Sequence, residues 1–164
     1  QVKTNKENTM RIAKAEQTIE SFVNNLLSQN PDTLVTRHGG ATCITVEKGT
    51  GEELSKKGSA SIYYVAYRFT GSLNASSIVA TNVREIAEQL RRDTSDDSMF
   101  EPVSVSMSDP NLIQGLADGL EGIQAGEERI ILFNGKYSFP KKVSGTISAK
   151  SPMAYHILVE SISN

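Results

Sequence analysis

Residues 111–133, NLIQGLADGLEGIQAGEERIILF, change hydrophobic period partway along, and that change limits the folds open to the chain. Behind Pro110, residues Leu112, Leu116, Leu120 and Ile123 recur at helical spacing. Gly115, Gly119 and Gly122 interrupt the run, each costing about 1 kcal/mol relative to Ala in a helix interior. After Gly126 the segment ERIILF has the apolar, β-branched composition of a buried strand. A short helix that is weak by propensity and feeds directly into a strand has to draw its stability from what it packs on.

The strongest helix signal covers residues 9–29. Ile12, Ala15, Ile19, Phe22, Val23 and Leu26 form one stripe, with Lys14, Glu16, Gln17, Glu20 and Asn24 opposite. Asn8 or Thr9 can cap its start, and Asn30-Pro31-Asp32 ends it. The stripe needs a cover: the chain's own domain or, in a homodimer, the same stripe of a second molecule. From about residue 41 the period shortens. ATCITVE and SASIYYVAYRF read as strands, separated by the turn sequence GTGEELSKKG, with His38-Gly39-Gly40 as loop. TGSLNASS is a second break. TNVREIAEQLRRD predicts an inserted helix, capped by Thr81 or Asn82 and presenting Val83, Ile86, Ala87 and Leu90. An acidic loop, DTSDDS, leads to a short strand with Val103, Val105 and Met107 on one side. EERIILFN, the long loop GKYSFPKKVSGTISAKSP and the strand MAYHILVESI complete the chain. The order predicts an α+β fold built on an antiparallel sheet. Residues 1–32 form an amino-terminal helical extension and 33–164 the domain, with a helical insertion over about 81–98.

Composition removes several classes of chemistry. The formal net charge is −2 and the lysine and arginine pairs are scattered, which argues against nucleic acid as a partner. Cys43 is the single cysteine and sits in an alternating segment, so neither a disulfide nor a cysteine-based metal site is available. His38 and His156 lack metal-ligand spacing, and no metal or cofactor is expected. Glu127 and Glu128 point to opposite faces of a strand and cannot work together as an acid–base pair. Asp96, Asp97 and Glu101 read as a solvated acidic loop, and Asn74-Ala75-Ser76 as a chance sequon. No apolar run reaches the roughly 20 residues needed to span a bilayer as a helix.

KGTGEELSKKGSASIYYVAYRF, PNLIQGLADGLEGIQAGEERIIL and the terminal ILVES occur in an order that resembles the FKBP-type peptidyl-prolyl isomerases. The resemblance covers roughly residues 40–164, and Ile113, Gly115, Gly119 and Gly126 fall at family positions. It implies a curved antiparallel sheet wrapped on a short central helix, whose glycines allow close approach to the strands. It implies cis–trans isomerisation of X-Pro bonds in a proline-containing polypeptide, without cofactor or metal. Carried over residue by residue, Ile113 (through its backbone N–H) and Phe139 take the catalytic positions. Val65, Leu73, Val103, Leu112, Leu116 and Ile157 join them in lining the substrate pocket. Leu116 stands where the family's floor tryptophan is expected, Val65 where a tyrosine is, and Ile157 where a phenylalanine is. A pocket so altered implies weak activity, or a non-catalytic chaperone or interaction module. By analogy the setting is a bacterial periplasm or envelope, which admits a lipid anchor upstream.

Overall fold

The computed structural model describes residues 2–141, 147 and 149–164; part of the predicted loop before the last strand lies outside the described residues. Its elements are α1 (Val2–Gln29), β1 (Leu34–His38), β2 (Ala41–Glu47), β3 (Thr50–Glu53), β4 (Ser59–Arg68), β5 (Ile78–Thr81), α2 (Arg84–Gln89), β6 (Val103–Ser106), α3 (Gln114–Gly119), β7 (Gln124–Ala125), β8 (Glu128–Phe133) and β9 (Met153–Ser163). One antiparallel sheet runs β1-β2-β8-β9-β4-β5, and β6 pairs with the other half of β4. A second, two-stranded sheet joins β3 to β7.

The α+β class and the order of the main strands agree with the sequence reading; several local boundaries do not. Helix α1 starts at Val2 rather than near Thr9, because no glycine or proline occurs between there and Gln29 to stop it. His38 is the last residue of β1, paired with Ala41 across the Gly39-Gly40 turn, where Gly39 takes φ +54°. The presumed turn GTGEELSKKG contains β3, and β5 lies just ahead of the inserted helix.

Both faces of the large sheet are covered, and strand alternation sorts the side chains between them. One face meets α1: Ile19 and Val23 pack with Ile44, Phe69, Ile130, Leu132 and Ala154. Phe22 meets Phe69 edge to face at 5.4 Å, and Glu16 holds Arg37 at 3.0 Å and Asn134 at 2.7 Å. The amphipathic stripe is thus covered by the chain's own sheet. The other, concave face meets α3 and the turn after it. There Leu120 and Ile123 are fully buried with Cys43, Ile131, Phe133, Met153, Ile157 and Val159.

The glycines of α3 set its distance from the sheet. A Cβ on Gly115 would lie 2.2 Å from the Phe133 ring, and one on Gly119 would lie 2.2 Å from Cγ2 of Ile131. Gly126 has open space around it but φ +79°, which turns the chain back into β8. A helix of six residues is not stable alone, and its last carbonyls need donors. Arg129 of β8 supplies them: one guanidinium nitrogen donates to the carbonyls of Gly119 at 2.7 Å and Glu121 at 3.1 Å. Its Nε donates to Glu127 at 2.7 Å, and the other carboxylate oxygen of Glu127 accepts the Gln124 N–H at 3.1 Å. Arg129 and Glu127 are both buried, on the α3 face, whereas Glu128 on the opposite face meets His156.

The insertion folds on itself. Arg84 stacks on Phe100 at 4.5 Å, donates to the carbonyl of Thr94 and pairs with Asp97. Asn82 is not a helix cap. It sits buried where β4 leaves β5 for β6, accepting the Tyr64 N–H at 2.7 Å and donating to the carbonyls of Ile62 and Glu101, both at 3.0 Å.

Two substitutions separate close approach from backbone conformation. Gly119→Ala should lose about 1–3 kcal/mol of stability despite its better helix propensity, because Ile131 cannot retreat. Gly126→Ala should lose about 1–2 kcal/mol through the left-handed conformation alone. Arg129→Met should cost about 3–5 kcal/mol by leaving Glu127 buried and unpaired, and replacing both residues by apolar ones should recover much of that loss. Denaturant unfolding of each purified variant measures all three.

Candidate functional site

The concave face gathers an aromatic and aliphatic cluster at the entry of α3. Tyr64 of β4 lies directly opposite Ile157 of β9 in the strand register. One step along, Tyr155 shares that face, its ring 6.4 Å from Tyr64 and stacked on Phe133 at 6.0 Å. Ile113 immediately precedes α3 with an extended backbone (φ −66°, ψ 147°). Its carbonyl accepts the Ala117 N–H at 3.0 Å, while its own N–H has no acceptor among the described residues. Leu116, one α3 position from Gly115, is half-buried against the same cluster. Phe139 follows the 3₁₀ turn Gly135–Tyr137, half-buried against that cluster, with its carbonyl held by the Lys150 N–H at 2.7 Å.

Of the residues nominated from sequence, Ile113, Leu116, Phe139 and Ile157 therefore meet in one cluster. Leu112 is half-buried in the turn just ahead, its N–H donating to the Asp109 carbonyl. The other three are not brought in. Val65 is buried on the opposite face from Tyr64 and Ala66. Leu73 packs with the cluster beneath α1, and Val103 stands 42% exposed on an outer strand.

The site also has two residues that sequence comparison passes over, Tyr64 and Tyr155. Tyr64 and Val65 are neighbours in residues 63–66 of β4, which are apolar or aromatic at every position. With no polar face to set the phase, a one-residue error exchanges the two faces. Tyr155 had a usable signal: two residues before Ile157 on one strand, it shares its face.

Burial pushes the Tyr64 and Tyr155 phenols above their ordinary pKa, so both stay protonated as hydroxyl donors at neutral pH. Cys43 is fully buried beneath α3, its Sγ 3.5 Å from the Gly119 carbonyl, and burial pushes the thiol up to about 11. It is no nucleophile at neutral pH. His38 meets Thr36 at 3.1 Å, and His156 meets Glu128 at 2.5 Å on the sheet face opposite α3. Among the described residues no group of three or more His, Cys, Asp or Glu side chains is placed to hold a metal ion, and no helix is long and apolar enough to cross a membrane.

Comparison with known proteins bears directly on this arrangement. A crystal structure of a peptidyl-prolyl cis-trans isomerase from Pseudomonas syringae pv. tomato superposes with a TM-score of 0.58 at 14% identity, covering 92% of this chain and 96% of that one. The N-terminal domain of FKBP42 from Arabidopsis thaliana gives 0.57 at 14% identity, over 81% and 94% of the two chains. The three FKBP domains of wheat FKBP73 give 0.59 at 14% identity, over 79% of this chain and 50% of that one. Such low identities establish the fold. No curated protein matches by sequence. The family model for FKBP-type peptidyl-prolyl cis-trans isomerases matches residues 59–160, from the first residue of β4 almost to the end of β9. Matched over more than half its length and folded accordingly, this chain belongs to the FKBP-type peptidyl-prolyl cis-trans isomerase family.

Proposed function

We propose that the chain isomerises X-Pro bonds in polypeptides, with the prolyl ring held in a hollow between Tyr64, Tyr155, Phe139, Leu116 and Ile157. The observation that carries this reading is the Ile113 N–H without an acceptor among the described residues, beside a cluster that holds Tyr64, Tyr155 and Phe139. Rotation about the X-Pro bond breaks amide resonance, and the barrier of an ordinary peptide bond is about 18–20 kcal/mol. Lowering it needs no nucleophile and no base. It needs a site that binds the twisted amide better than the planar one. The apolar walls disfavour the planar, more polar amide, and the Ile113 N–H donates to a substrate carbonyl and fixes the prolyl residue in place.

Leu116 and Ile157 make part of this hollow aliphatic. They bury a prolyl ring well, at about 25 cal/mol per Å² of apolar surface, but without the quadrupole of an aromatic floor. Activity is therefore expected to be weak, and the same substitution supports a second reading: a module that holds unfolded or partner chains without isomerising them. Suppressed aggregation of a proline-containing client, with no isomerisation above background at high protein concentration, would select that second reading.

A protease-coupled assay on a proline-containing tetrapeptide tests the first. Phe139→Ala should lower kcat/KM by about tenfold, or roughly 1.4 kcal/mol of transition-state stabilisation, and Leu116→Trp should raise it. Because no group in the hollow titrates near neutrality, kcat/KM should stay flat from about pH 6 to about pH 9. A bell-shaped profile would show that an ionising group takes part and would overturn the mechanism.

A further inference from the structure

A concavity lies apart from the candidate site, between α1 and the ends of three central strands. Its volume is about 630 Å³, within the roughly 300–1,000 Å³ usual for binding sites. Ile12, Ala15, Phe69 and Pro152 give it an apolar floor. Phe69 follows the end of β4, Gly135 follows β8, and Ser151-Pro152 precede β9, so the rigid sheet fixes one wall and α1 the other.

Its charge sets it apart. The chain is net negative, yet Arg11, Lys14, Lys136 and Lys150 all line this groove and no carboxylate does. The four are exposed. The ion pairs among the described residues are Arg37–Glu16, Arg84–Asp97, Arg129–Glu127 and His156–Glu128, so none of these four cations is neutralised by a carboxylate. Glu16, also on α1, is engaged by Arg37 and Asn134. Four like charges around an apolar floor repel one another, and an anionic occupant would relieve that repulsion.

We infer that this groove is a second polypeptide-binding site, which takes an acidic segment carrying apolar side chains. The cations meet its carboxylates and the floor takes its apolar groups. Asn8, Thr18 and Thr70 punctuate the lining with amide and hydroxyl groups. Those suit the hydrogen-bonding backbone of a peptide and have no use for an acyl chain. The site is independent of proline handling and stands whether or not the hollow catalyses.

The test uses the full chain and a short, labelled, proline-free peptide alternating glutamate with leucine and phenylalanine, read by fluorescence anisotropy. The glutamate peptide should bind at low salt and be released near 1 M salt, where the screening length falls to about 3 Å. Its glutamine counterpart should bind at least about tenfold more weakly. Arg11→Glu/Lys14→Glu, on the exposed side of α1, should weaken binding by about tenfold or more. Isomerisation and the circular dichroism spectrum should be unchanged. No binding, equal binding of the glutamine peptide, or undiminished binding to the charge-reversed variant would each overturn the proposal. So would sedimentation with phosphatidylglycerol vesicles, lost in the variant, if the peptide failed to bind; the groove would then face a membrane.

Discussion

The buried Arg129 guanidinium is the contact on which the arrangement of the site depends. It joins a central strand to the carboxyl end of α3 through the Gly119 and Glu121 carbonyls, and to Glu127 at the turn between them. A six-residue helix contributes little stability of its own, and its macrodipole ends in carbonyls that burial would leave unsatisfied. Arg129 supplies positive charge and donors at that end. Desolvating the pair is costly, so its value lies in specifying position more than in net stability. With α3 fixed, Ile113 at its start and Leu116 in its first turn are fixed as well.

Close approach supplies the other half of the positioning. Gly115 and Gly119 place α3 directly on the Phe133 ring and Ile131, and the Asp118 carboxylate accepts the Gly40 N–H at 2.8 Å from the β1–β2 turn. The helix is therefore held at its carboxyl end by charge, along its length by contact, and from the side by a hydrogen bond. On the other side of that cluster, Asn82 clips the backbone of Tyr64 at the point where β4 changes partners. The insertion that follows Asn82 is anchored to the sheet there, and its Glu101 carbonyl is held by the same amide.

The large sheet works as a partition with two covered faces. One carries α3 and the cluster at its entry, the other seats α1, and the loops at one end serve both: the segment that carries Phe139 also supplies Gly135 and Lys136 to the basic groove. Strand alternation keeps the two chemistries apart. Glu127 and Arg129 lie with α3, while Glu128 and His156 lie on the side of α1. Tyr155 and His156, adjacent in the chain, likewise face opposite ways.

Sequence alone determined what depends on local period and composition: the amphipathic stripe of α1, the main strands, the glycine-interrupted helix turning at Gly126, and the absence of cysteine or histidine clusters. Family resemblance added the identity of that helix and nominated Ile113, Leu116, Phe139 and Ile157, which fold into one cluster. What sequence could not supply was phase and pairing. Val65 was nominated in place of Tyr64 because residues 63–66 are apolar or aromatic at every position and give no local alternation to choose between them. Asn82 read as a helix cap because its three partners, Tyr64, Ile62 and Glu101, are separated from it by 18 to 20 residues. The ion pair of Arg129 and the gathering of Arg11, Lys14, Lys136 and Lys150 around one groove were decided by tertiary structure. Each depends on distances between segments, which local pattern does not encode.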